Sequence, residues 1–146
     1  MSNKVGLSCK LYENTGTWAT PTWSEITITK DVTQSSEVGT ADVSSRGSGG
    51  FRATLPTLQD LTLEFSMPWD ESDARFEAVR AAHFAKTTIE LAAMSGDITT
   101  SGEEGLRADW YVTQMTRVET LEEGVMVNFS AKPDPSTNTP TWYVVP

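Results

Sequence analysis

His83 is the one histidine of this chain and Cys9 its one cysteine, and together they limit the chemistry it can carry. A nucleophile needs a general base within reach. His83 falls at helical spacing with Phe76 and Val79, beside Phe84, where a histidine reads as a satisfied core or boundary residue. One cysteine allows no intrachain disulfide, and one cysteine with one histidine is too few for a zinc ligand set. Glu103-Glu104 and Glu122-Glu123 sit beside Gly105 and Gly124 and read as solvated hairpin tips, not as a paired-carboxylate hydrolase site or a calcium loop. The glycine-rich stretch from Gly39 lacks both the GxxxxGK[ST] order and the following helix of a phosphate cradle. The expectation is therefore no catalytic residue, no metal site and no cofactor.

Five tryptophans open a different possibility, because sugar rings stack on exposed indoles. Trp110 and Trp142 lie in strand-like segments and are expected to be buried, whereas Trp18 and Trp23 flank a loop containing Pro21. A carbohydrate-binding module is thus an alternative to be tested.

The formal charge is −9, from 20 acidic and 11 basic residues. This balance opposes tight binding to phosphate backbones, since that affinity grows with each Lys or Arg contact. The start, MSNKVGLSCKLYENTG, has no apolar signal-peptide core, and no apolar run has the length of a membrane helix, so cytoplasmic synthesis without membrane insertion is expected. Apolar residues make up 38% of the 146, a lean core for a single domain spanning 1–146.

The elements that must position these residues are mostly strands. Period-two alternation marks Glu25–Thr33, Asp60–Ser66, Thr88–Ala93, Leu106–Arg117 and Val125–Ala131. In Leu106–Arg117, Trp110 and Val112 are expected on one side and Tyr111 and Met115 on the other. The segments VGLSCKLY and TWYVVP read as strands as well. Residues 71–86 break the period: Phe76, Val79 and His83 recur at helical spacing, with Asp70 or Ser72 as the cap. Seven or eight strands with one helix predict a mainly β fold, an antiparallel sandwich or barrel with a single flanking helix.

Between two of these strands lies a long polar loop at 37–50, with DVSSRGSGGF at its end. Nothing in it can pack on a core of its own, and loops beyond about a dozen residues in compact domains are functional or disordered. Gly47, Gly49 and Gly50 permit unusual backbone angles, and Arg46 is free to pair with a carboxylate on another chain.

Four phrases in order carry a family resemblance: DVSSRGSGGF, WDESDARFEAVRAAHFAKTTIEL, SGEEGLRADWYVTQM and ETLEEGVMVNFSAKP. With the strands around them, from Trp23 to Trp142, the chain resembles the tail tube (major tail) proteins of long-tailed bacteriophages. The resemblance implies a structural virion protein whose hexameric rings join strands into an inner β-barrel and stack into a hollow tail tube. Its partners would be further copies of itself, the tail-tip or baseplate initiator, the tape-measure and tail-terminator proteins, and DNA in transient, non-specific passage. Assembly would take place in the host bacterial cytoplasm. A tube protein of a type VI secretion or contractile-tail system shares the barrel design.

On this reading the loop reaches an adjacent ring, through Glu37, Asp42, Ser44, Ser45, Arg46, Gly47, Gly49, Gly50 and Phe51. The lumen needs a wall without binding wells for phosphate. Its candidates are the polar faces of the strands beside the loop: Thr27, Thr29, Asp31, Asp60, Thr62 and Glu64.

Overall fold

Alternating β-branched and aromatic side chains produce eight strands in the computed structural model, which describes residues 3–146. They are β1 (Lys10–Asn14), β2 (Trp23–Glu25), β3 (Val32–Asp42), β4 (Thr54–Pro68), β5 (Thr88–Met94), β6 (Glu104–Val118), β7 (Met126–Pro133) and β8 (Thr141–Val144), with one helix, α1 (Ala74–Ala85), between β4 and β5. All pairings are antiparallel, in the order β2-β1-β5-β6-β7-β4-β3. β8 adds to the first residues of β6, which pairs with β7 further along. The mainly antiparallel β architecture with a single helix is as expected, though every strand belongs to one hydrogen-bonded sheet.

The apolar faces close on one another. Leu61, Leu63, Phe65 and Met67 of β4 join Val127, Phe129 and Ala131 of β7 and Phe76, Val79 and Ala82 of α1 in a buried cluster. Phe65 stacks on Phe129 at 5.4 Å between centroids, and Phe76 meets Phe129 edge-on at 6.3 Å. Full burial of such a side chain stabilises by about 1.5–3 kcal/mol, so this cluster is what holds α1 to the sheet.

The helix is capped by Asp73, whose carboxylate accepts from the Arg75 and Phe76 amides. Asp70 and Ser72, the expected caps, instead bond to each other one turn earlier. At the far end Lys86 takes the left-handed conformation (φ 58°) and donates its amide to Ala82.

Three other segments differ from expectation. The strand expected over Glu25–Thr33 is two strand ends joined by a turn. The Thr29 amide and hydroxyl both donate to the Ile26 carbonyl, which leaves Ile26 buried while the chain reverses into β3. In VGLSCKLY the first residues form a 3-10 turn at Gly6–Ser8, and the strand starts at Lys10. In β6, Trp110, Val112 and Met115 all pack on the core, because a bulge between Val112 and Gln114 shifts the alternation by one residue.

Gly105 stands opposite Met94 at the end of the β5–β6 ladder. A Cβ there would lie 1.9 Å from the Ala93 carbonyl oxygen, so no larger residue fits without parting the strands.

Candidate functional site

The sheet face opposite α1 is polar across four strands. On β4 it carries Asp60, Thr62, Glu64 and Ser66. On β3, Thr33, Ser35 and Glu37 stand opposite Glu64, Thr62 and Asp60. On β7, Asn128 and Ser130 stand opposite Ser66 and Glu64, and on β6 Gln114 and Thr116 stand opposite Ser130 and Asn128. Residues directly opposite in an antiparallel pair point to the same side, so the register itself assembles this face. A shallow groove runs across it between Asp31, Glu64, Gln114 and Asn128.

The face is acidic and rich in hydroxyls. Its cation is Lys132, whose Nζ lies 2.6 Å from the Thr62 hydroxyl and 3.2 Å from Asp60. Three of the six expected residues, Asp60, Thr62 and Glu64, therefore share one face. Asp31 closes its end, its amide 3.3 Å from the Ser66 hydroxyl. Thr27 and Thr29 do not belong there: they lie in the turn before β3 and border a second groove at that end of the sheet. Gln114, Thr116, Asn128, Ser130 and Lys132 lie on the face as well. The alternation of Asn128, Ser130 and Lys132 with Val127, Phe129 and Ala131 is visible in the sequence, but joining it to β4 and β6 takes the sheet order.

β3 and β4 continue beyond this face as a two-stranded arm. The first part of the expected loop is strand: Glu37 to Asp42 belong to β3, whose ladder to β4 runs from Val32–Phe65 to Asp42–Thr54 with a register shift between Val38 and Thr40. The true tip is short and ordered. Ser44 donates its amide to Asp42, and its hydroxyl accepts from the Ala53 amide. Ser44 thereby holds the Asp42 carboxyl below the usual carboxylate range. Arg46–Ser48 form a 3-10 turn closed by reciprocal bonds between Ser45 and Ser48, and Gly49 and Gly50 follow at φ 65° and 84°. Such angles favour glycine because a Cβ would clash.

From Val32 to Asp60 no residue is buried. Phe51 is 81% and Leu58 86% exposed, and Arg46 makes no ion pair among the described residues. An isolated two-stranded ribbon is marginal in water, so this arm carries apolar surface with nothing of its own to cover it.

The remaining chemical candidates are committed to structure. The Arg107 guanidinium lies 4.0 Å from the Trp18 ring centre, 5.1 Å from that of Trp23 and 5.7 Å from that of Tyr143. It also donates to Glu90 at 2.9 Å and to the Trp18 carbonyl. Trp110 is buried as expected and donates to the Leu91 carbonyl. Trp69 packs edge-on against Phe76 and faces Arg117. Trp142 is the correction: it stands on β8 with 55% of its surface exposed, because no strand covers that side of β8. His83 Nδ1 lies 2.7 Å from the Val112 carbonyl oxygen, tying α1 to β6. Glu103 is no bare hairpin tip either, since it accepts from Lys4 Nζ at 2.6 Å and from the Ser95 hydroxyl. Among the described residues no His, Cys, Asp and Glu cluster could hold a metal ion, and no helix is long and apolar enough to cross a membrane.

No protein-family model and no curated sequence matches this chain. Solved structures do. A chain in the virion of a native gene transfer agent particle superposes with a TM-score of 0.73 at 12% identity, over 97% of this chain and 100% of that one. A chain in the tail of an empty gene transfer agent particle with C6 symmetry gives 0.72 at 12% identity, over 99% and 100%. The SPP1 tail tube gives 0.71 at 14% identity, over 97% of this chain and 80% of that one. The fold is the tail-tube fold. At such identities the likeness lies in the path of the backbone, so in this tail-tube fold the polar face and the arm are argued from this chain's own residues.

Proposed function

We propose that this protein is the structural subunit of a phage-type tail tube: copies form hexameric rings, the rings stack, and the hollow tube conducts DNA. The observation that carries the reading is a sheet face that is polar across β3, β4, β7 and β6, continued by an arm that buries nothing, in a chain with the tail-tube fold.

Each part meets a physical requirement of such a tube. β3 is an edge strand of eleven residues, and an unpaired edge of that length invites pairing with another chain. Joining sheets around a ring pairs those backbone groups. The polar face then lines the lumen. A wall of carboxylates and hydroxyls holds no phosphate in place, because each cationic contact would add salt-dependent affinity. With Lys132 already engaged by Asp60 and Thr62, this wall repels the DNA backbone over most of its area. The function is structural and not catalytic.

The sugar-binding alternative has less to stand on. Trp18 and Trp23 are occupied by Arg107, Trp69 by Phe76 and Arg117, and Trp110 is in the core, which leaves Trp142 as a single exposed indole.

Electron microscopy of the concentrated protein, with its solution mass measured alongside, tests the proposal. Hollow tubes or six-fold rings are the expected result. A monomer that stays monomeric when mixed with preformed tail tips would overturn it.

A further inference from the structure

The two features left uncovered in the monomer lie at opposite ends of one ribbon. At the end where β3 begins, a second groove opens, with Leu11, Ile26, Met94 and Trp142 along it and Asp31 and Glu104 among its carboxylates. At the end where β3 finishes, the tip presents Phe51 with Arg46 and Arg52. Eleven residues of strand separate the two, about 35 Å at the rise of an extended chain.

Their chemistry is complementary. Leu11, Ile26 and Met94 are buried beneath the groove, so its exposed apolar surface includes Leu7 and the Trp142 indole; Glu25, Asp31 and Glu104 line it together with Lys10 and Lys30. Neither Asp31 nor Glu104 takes part in an ion pair among the described residues, whereas Glu25 in the same groove is held by Lys10 at 3.7 Å. The tip offers an exposed phenyl ring and two arginines. Arg52 is 3.4 Å from Asp42 with most of its side chain in water, and Arg46 makes no ion pair among the described residues. Arginine is suited to such a contact, since it can bond a carboxylate in bidentate fashion and stack on an indole.

We infer that the groove bounded by the β2–β3 turn, Met94, Glu104 and Trp142 is the receptor for the β3–β4 tip of a second copy. Tip and groove are different surfaces, so the contact is heterologous; such a contact closes into a ring or runs on as an open stack according to its rotation, and the stacked-ring reading takes the second. The assignment rests on the stacked-ring reading and adds to it the surface on which each arm lands. The arm's exposed apolar side chains and the groove's free carboxylates are then covered in the same step.

Charge exchange tests the contact. The Arg46→Glu/Arg52→Glu variant and the Asp31→Lys/Glu104→Lys variant should each lose assembly by at least about tenfold in the concentration required, since like charges then face each other. The variant carrying all four substitutions should recover it. Groove variants that assemble like wild type, or a fourfold variant that folds by circular dichroism yet stays as defective as its parents, would overturn the inference.

A second measurement does not depend on tubes. Cys9 is exposed and borders the groove. A Phe51→Cys protein treated with a short bismaleimide should form a ladder of covalent multimers whose digests contain the introduced cysteine linked to Cys9, and should stay monomeric when Cys9→Ser is added. Links between the introduced cysteine and Cys9 without tubes would sink the tube reading and keep the receptor groove. Tubes in which the introduced cysteine does not link to Cys9 would do the reverse.

Discussion

Glu37 and Asp60 stand directly opposite each other across β3 and β4, two carboxylates on the same face of a ladder that buries neither. Like charges in that position cost stability, and Lys132 offsets the cost from one side only, at 3.2 Å from Asp60. A monomer selected only for its own stability would not keep this pair. A wall selected to repel phosphate would.

Replacing one member should therefore stabilise the subunit. Glu37→Lys turns the repulsion into an attraction and should raise the unfolding free energy by about 0.2–1 kcal/mol, read from urea denaturation at low salt and diminished at high salt. No gain at low salt would show that the two side chains avoid each other.

Charge reversal across the face separates assembly from passage. Glu37→Lys with Glu64→Lys should leave tubes of normal appearance but slow DNA release from assembled particles, with the defect eased by salt. Asp31 is left out because it also borders the end groove. Normal delivery by these tubes would remove the face from the lumen.

Arg46→Glu alone should leave the fold intact, since the residue is exposed and makes no ion pair among the described residues. Losing one charge-assisted bond per arm should raise the concentration needed for tubes by roughly tenfold or more. Circular dichroism and sedimentation of the same samples check the two halves of the statement. Tube formation at the wild-type concentration would count against a role for this arginine.

Arg107 is the test of the fold itself. Its side chain and that of Glu90 are each 8% exposed, so Arg107→Met strands a buried carboxylate that keeps only its bond from Asn14. Breaking a buried pair in this way costs about 3–5 kcal/mol. Glu90→Gln in the same background should return part of the loss, and Trp18 and Trp23 should change their emission as the guanidinium leaves.

Glu13 carries a pH signature of the opposite sign to an ordinary surface carboxylate. Burial holds its carboxyl above the ordinary glutamate range, with the Arg75 guanidinium at 2.6 Å opposing in part. The folded state then binds the extra proton, so this contribution is complete below pH 4.5 and is lost as pH rises through the raised folded value. Glu13→Gln should accordingly gain on wild type across that interval, measured as the difference between their unfolding free energies. A difference that stays flat would mean the ion pair outweighs the burial.

Local pattern was enough for some of this protein and not for the rest. Alternation in DLTLEFS and VMVNFSA, the helical spacing of Phe76 and Val79, and the single His and Cys were all legible, because side-chain direction within one element depends only on backbone period. The mainly β, one-helix class follows from those periods alone. The polar face could be read strand by strand, but its extent could not: Gln114 and Thr116 join Asn128, Ser130 and Glu64 only through the pairing of β6, β7 and β4, and the bulge after Val112 decides which way they point. The arm is a similar case. The run of serine and glycine from Ser44 is the turn its composition suggests, yet Glu37 to Asp42 before it are held in β3 by β4, a partner that propensity does not see. Trp142 lies in an aromatic, β-branched strand and still faces water, since burial depends on what covers a strand and not on its composition. Composition and period determined the class of element and its apolar side; register, bulges and the order of strands, which are long-range, decided which residues share a surface.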